Sequence, residues 1–125
     1  MKKFHSIAGA ILCASSVAVG ALAAHALKNI LLPEQLSSVE TAVRYQFYHG
    51  LALILLANIY REQNRLSKFS LATMLCGVIF FSGSIYGLTA GMHWMFPLTP
   101  LGGALMISGW LLAIFSFAKN QPEKN

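Results

Sequence analysis

Charge is scarce in this sequence, and aspartate is absent from it. Charged residues make up 10% of the chain, against roughly a quarter in an average soluble domain. Hydrophobic residues make up 56%. A chain of 125 residues with this balance is too apolar for a soluble domain. We therefore expect a single membrane domain covering residues 1–125, embedded in a lipid bilayer.

The formal net charge of +5 raises the question of nucleic-acid binding. The basic residues, however, cluster at the ends of apolar runs and form no stripe with interleaved aromatic side chains. Their arrangement fits membrane topology better, and we expect no nucleic-acid partner.

Cysteine is also sparse. Cys13 and Cys76 both lie inside apolar runs, without CxxC spacing or the pattern of a secreted disulfide framework. We interpret them as small hydrophobic residues, which argues against a thiol oxidoreductase. No glutamate lies within an apolar run, so the embedded carboxylate that couples a small multidrug exporter to protons is missing too.

Four mostly apolar runs are long enough to cross a bilayer. They cover about residues 7–26, 43–60, 69–90 and 101–118. Upstream of the second run, Pro33 breaks the chain and Ser37 or Ser38 can cap a helix, so we expect this helix to begin near Ser38, outside the hydrocarbon. The predicted fold class is an all-α membrane protein, an antiparallel four-transmembrane-helix bundle.

The start of the chain also resembles a signal peptide, because Lys2 and Lys3 precede an apolar stretch with small-residue triplets at its end. That stretch is long for a signal sequence, and its removal would leave three helices. We therefore interpret it as the first span.

The distribution of Lys and Arg predicts the orientation. Only Lys28 and Arg44 fall on one side of the spans. The other side holds Lys2, Lys3, Arg61, Arg65, Lys68, Lys119 and Lys124. Both termini are therefore expected in the cytoplasm of a bacterial inner membrane, and the stretch 28–42 and the turn 93–97 are expected outside.

Small residues at four-residue spacing let helices approach closely in lipid. The glycines concerned are Gly20 in the first run, Gly83, Gly87 and Gly91 in the third, and Gly102 and Gly103 in the fourth. We expect close contact between the first and third helices inside the bundle. The same surfaces also suit a homo-oligomer or a partner subunit.

Polar side chains from all four runs are predicted to meet at the outer end of the bundle. The candidates are His25, Tyr45, Gln46, His49, Ser82, Ser84, Tyr86 and Thr99. Burying such groups in a membrane is costly, which makes them candidates for an outward-facing polar pocket. The alternative is a hydrogen-bonded plug that only fixes helix packing.

Four segments together resemble the signature segments of domain-of-unknown-function family 423, which includes transmembrane protein 256 and its bacterial relatives. They are GALAAHAL (Gly20–Leu27), YQFYH (Tyr45–His49), FFSGSIYGL (Phe80–Leu88) and TPLGG (Thr99–Gly103). The resemblance covers about residues 7–116 and departs from the family at Ala23, where Gly is frequent. It implies the four-span fold and adds Gly83, Pro100, Gly102 and Gly103 to the candidate positions, but it implies no reaction because the family has no established activity.

The candidates do not form an obvious catalytic set. His25 and His49 supply two ligands where a metal site needs three or four. Ser82 and Ser84 lack the acid that would orient His49 as a base. Haem between two histidines, or a quinone, is conceivable, but we expect no cofactor.

We expect a small integral membrane protein that is not an enzyme. Its pocket would bind a lipid, a quinone or a partner membrane subunit. The alternative function is a small-solute or proton transporter in which His49 or His25 titrates. The inner half of the bundle has only scattered polar groups for a proton path, which favours binding.

Overall fold

The computed structural model describes residues 2–60 and 64–119. Within these ranges the chain forms helices joined by turns and contains no strand. The four long helices are α1 (Lys2–Ala24), α2 (Pro33–Ile59), α3 (Arg65–Thr89) and α4 (Leu98–Lys119). Two 3-10 turns, Leu27–Asn29 and His93–Met95, lie at one end, which we call the connector end. The opposite end is the terminal end. Arg61 and Lys124, which contribute to the predicted orientation, lie outside the described residues.

The start of α2 corrects the sequence prediction. The helix begins at Pro33, well before Ser38, because the proline occupies the first helical position instead of breaking the chain. Proline suits that position, since its missing N–H would have no helical partner there. The Gln35 side-chain oxygen accepts the Leu32 backbone N–H at 3.0 Å, which satisfies a donor at this terminus. α4 also begins early, with Pro100 in its first turn.

Each helix packs antiparallel on the next one along the chain. α1 packs on α2, α2 on α3, and α3 on α4. The expected close contact between the first and third helices is wrong, because α1 packs chiefly on α2. The two hairpins, α1–α2 and α3–α4, therefore meet through α2 and α3.

Glycine pairs explain the close approach within each hairpin. A Cβ atom on Gly9 would lie 2.5 Å from the Gly50 carbonyl oxygen, and a Cβ on Gly50 would lie 2.8 Å from that of Gly9. In the second hairpin, a Cβ on Gly77 would lie 2.9 Å from the Gly102 carbonyl oxygen, and one on Gly102 would lie 2.7 Å from that of Gly77. Any larger side chain would push these helices apart.

The other glycines predicted to pack lie elsewhere. A Cβ on Gly83 or Gly103 would meet nothing within 4 Å. Gly91 follows the end of α3 with a positive φ of 97°, a backbone conformation that glycine adopts without strain. Gly87 faces the Met95 side chain, and Gly20 faces Val43 of α2. Four-residue spacing along one helix thus did not identify the contacts, which depend on glycines meeting across two helices.

Three of the four helices, α1, α3 and α4, are long and apolar enough to cross a membrane, judged over the described residues. α2 is the longest helix at 27 residues but does not meet the same hydropathy standard. It carries Glu40, Arg44, Gln46 and His49, which lower its hydropathy.

The apolar core fills the terminal half of the interface between α2, α3 and α4. Its buried members are Ala52, Leu53, Leu56, Ala57, Tyr60, Leu71, Met74 and Ala113. Toward the connector end this cluster ends, although single apolar residues such as Val39, Ala42 and Ile85 remain buried there. α1 contributes only Leu12 to the edge of the core and exposes large apolar side chains such as Ile11 and Val17.

Candidate functional site

Gln46 is the centre of a hydrogen-bond network that joins three helices. Its side-chain amide donates to the Leu12 carbonyl oxygen at 3.0 Å and to the Ser15 hydroxyl at 2.6 Å, both on α1. Its carbonyl oxygen accepts the Tyr86 hydroxyl of α3 at 2.6 Å. Gln46 is buried, so these bonds replace water at each polar atom of the amide.

His49 links α2 to α4. Trp110 Nε1 donates to His49 Nε2 at 3.0 Å, and the other ring nitrogen lies 2.8 Å from the Tyr45 carbonyl oxygen. An indole N–H can only donate, so Nε2 accepts and Nδ1 carries the proton that is donated to Tyr45. Both nitrogens of the buried, neutral imidazole are therefore engaged within the bundle.

Three hydroxyl candidates on α3 and α4 also bond between helices. Ser82 donates to the Ala42 carbonyl oxygen of α2 at 2.8 Å. Ser84 shares a hydrogen bond of 2.5 Å with Thr99 of α4. Ser82 and Ser84 are buried, and neither points into an open space.

The side chains of His25 and Tyr45 do not join this network, although the Tyr45 backbone carbonyl oxygen bonds to His49. His25 is exposed just past the end of α1, while Tyr45 is 41% exposed and stacks on Phe81 with ring centroids 5.2 Å apart. On either side of His49 along α2, the Phe47 carbonyl oxygen accepts from the Cys13 thiol at 3.7 Å, and a Cβ on Gly50 would lie 2.7 Å from the same sulfur. Cys13 and His25 are twelve residues apart on the chain, which is roughly 18 Å of helix, so the two histidines do not converge on one ligand.

The depth of the network differs from the expectation of a polar mouth. Gln46 bonds to Leu12 and Ser15, near the midpoint of α1, and not to its connector end. In lipid, helices gain little from hydrophobic association, so hydrogen bonds between helices help to hold them together. Gln46 and the side chains that bond to it therefore form a packing network inside the bundle. In the described part of the chain, they do not line an open cavity.

A second interhelical link, which the sequence did not predict, lies nearer the terminal end. Tyr60 is only 3% exposed, and its hydroxyl lies 3.0 Å from the Ser70 hydroxyl. Ser70 in turn donates to the Gly109 carbonyl oxygen of α4 at 2.9 Å. A serine at a buried helix crossing is the only sequence signal for such a link, and it is too common to be diagnostic.

The open space of interest is a groove of about 650 Å³ at the connector end, between α2, α3 and α4. We call it the connector groove. Its walls are Phe81, Ile85, Leu88, Phe96, Pro100 and Gly103. Its polar rim is Glu34, Gln35, Ser38, Thr89 and Thr99. The volume lies in the range of small-molecule pockets. Of the predicted candidate positions, Thr99, Pro100 and Gly103 line the groove.

The polar groups of the rim on α2 differ from those of the interior network. Within residues 2–60 and 64–119, the Glu34 carboxylate, the Gln35 side-chain nitrogen and the Ser38 hydroxyl have no hydrogen-bond or ion-pair partner. The interior groups form hydrogen bonds with neighbouring helices, whereas these rim groups are available to bind another molecule. The described residues contain no set of three or more side chains arranged to hold a metal ion.

An all-helical chain with three long apolar helices and polar groups satisfied between helices is the architecture of an α-helical integral membrane protein. The family is equally clear. A family model described as "Protein of unknown function (DUF423)" matches residues 19–103, so the chain belongs to that family and the predicted resemblance is confirmed.

Named relatives support the same assignment. The chain is 39% identical to UPF0382 membrane protein SH2409 of Staphylococcus haemolyticus, over 94% of this chain and 97% of that protein. It is 31% identical to UPF0382 membrane protein YwdK of Bacillus subtilis, over 94% of this chain and 98% of the relative. It is 34% identical to UPF0382 inner membrane protein YgdD of Escherichia coli, over 78% of this chain and 76% of that protein. No solved structure matches the chain.

Proposed function

We propose that this protein binds one lipid molecule in the connector groove. The observation that carries the proposal is the change in character along the α2–α3–α4 interface. Its terminal half is filled by apolar side chains, while its connector half has a groove with apolar walls and, on the α2 side of the rim, unpaired polar groups. An apolar wall below a polar rim matches the two parts of a membrane lipid.

The proposal assigns α2 as a fourth span and the connector end to the outside of the membrane. α2 packs along α1 and α3, and its interior polar groups bond to those helices, so lipid does not have to solvate them. The Lys and Arg asymmetry supports cytoplasmic termini. In this orientation, the rim lies at the height of outer-leaflet head groups.

The transporter alternative has less support. A proton carrier must release and regain its proton along a path, but both ring nitrogens of His49 are engaged by Trp110 and Tyr45. His25, the other titrating candidate, is exposed and apart from the network. A non-enzymatic binding protein is therefore the function we propose, with no cofactor.

A matched pair of glycine substitutions tests lipid binding. Gly103 lines the groove and Gly83 does not, yet a Cβ on either would meet nothing within 4 Å. We expect Gly103→Leu to fill part of the groove and displace the lipid, and Gly83→Leu to leave it bound. Native mass spectrometry of the proteins, extracted in a mild detergent, would measure the bound mass.

Circular dichroism should show that both variants remain helical, since leucine favours helix more than glycine does. Equal retention of lipid by the two variants would contradict the proposal. A bound mass that matches a quinone or a second protein would replace the lipid with that partner.

A further inference from the structure

The connector groove carries a negative charge at its rim. Among the described residues that line the groove, Glu34 is the single charged one. It is exposed in the first turn of α2 and has no ion-pair partner within the described chain. Arg44 lies on a different face of α2, beside Gly20 of α1.

We propose that the groove selects a phospholipid with a primary-amine head group, a phosphatidylethanolamine; this inference rests on the proposed lipid binding. The carboxylate of Glu34 would pair with the ammonium group, which offers three N–H donors. A choline head group has the same charge but carries methyl groups in place of those donors. A glycerol head group leaves the phosphate charge uncompensated, and Glu34 repels it.

Neighbouring rim groups complement the phosphate. The oxygen of the Gln35 side chain is taken by the Leu32 backbone N–H at 3.0 Å, which leaves the side-chain nitrogen as a donor toward the rim. Ser38, one turn further along α2, supplies a hydroxyl. Below them, α3 lines the groove from Phe81 to Thr89, roughly 12 Å of helix along which an acyl chain can lie.

The test compares Glu34→Gln with Glu40→Gln. Both changes remove one negative charge from an exposed position on α2, but Glu40 lines a different surface, between α1 and α2. Each protein would be equilibrated in nanodiscs of equal phosphatidylethanolamine, phosphatidylcholine and phosphatidylglycerol with identical acyl chains. The lipid retained after mild extraction would then be identified by native mass spectrometry.

We expect the parent and Glu40→Gln to retain phosphatidylethanolamine about two- to fivefold over the other lipids, the range of an exposed ion pair. Glu34→Gln should retain lipid without that preference. Lipid bound with no preference in the parent, or a preference that survives Glu34→Gln, would overturn the head-group inference and leave lipid binding intact. A parent protein that retains no lipid would refute both.

Discussion

Replacing Gln46 with methionine tests whether the interior network is a packing device. Methionine is similar in size but cannot form hydrogen bonds of this strength, so Gln46→Met removes the bonds and keeps most of the volume. The change would remove three hydrogen bonds. Two of them join Gln46 to the Leu12 carbonyl and the Ser15 hydroxyl of α1, and the third joins it to the Tyr86 hydroxyl of α3.

The expected cost follows from the number of bonds. Hydrogen bonds between membrane helices contribute about 0.6 kcal/mol each on average. The three bonds of Gln46 therefore predict a loss of about 2 kcal/mol in the free energy of unfolding. Tyr86→Phe removes only one of them and should cost about a third as much.

Reversible unfolding in mixed micelles of sodium dodecyl sulfate and a mild detergent, followed by circular dichroism, would measure these free energies. Tyr48→Phe is the matched control, because Tyr48 is 54% exposed and its hydroxyl has no partner in the described residues. Tyr86→Phe should cost little once Gln46 is already methionine, since the two share a bond. An unchanged free energy of unfolding in Gln46→Met would refute the packing interpretation.

Two further predictions concern the helix contacts and the orientation. Gly102→Leu should destabilise the bundle by about 1–3 kcal/mol or more in the same assay, because the new side chain would overlap the backbone of Phe81, whereas Gly83→Leu should be tolerated. In a cysteine-free background, a cysteine at Asn29 should react with a membrane-impermeant maleimide in intact cells, and one at Lys119 only after lysis. The reverse labelling pattern would place the connector end in the cytoplasm.

Part of the candidate site could be predicted from the sequence. Gln46, His49, Ser82, Ser84 and Tyr86 were identified because polar groups within apolar runs are costly unless they have partners. Their partners were not predicted. Half of the bonds that satisfy them go to backbone carbonyls, such as those of Leu12 and Ala42, and no sequence pattern marks a carbonyl as an acceptor.

The sequence by itself determined the class of protein. In hydrocarbon, every backbone N–H and C=O must be bonded within the chain, so long apolar runs without aspartate require helices wherever they cross. The signature segments determined the family. Neither argument depends on how one helix lies against another.

Only the tertiary structure decided which faces meet. The contact of Gly9 with Gly50 requires a particular register between α1 and α2, and the periodicity of either helix alone does not fix it. That register places Gln46 against the middle of α1. Most of the polar residues that were expected to form an outward-facing pocket therefore form an interior network. The packing of α2, α3 and α4 also brings together the residues that line the connector groove, which are scattered over three separate segments of the sequence.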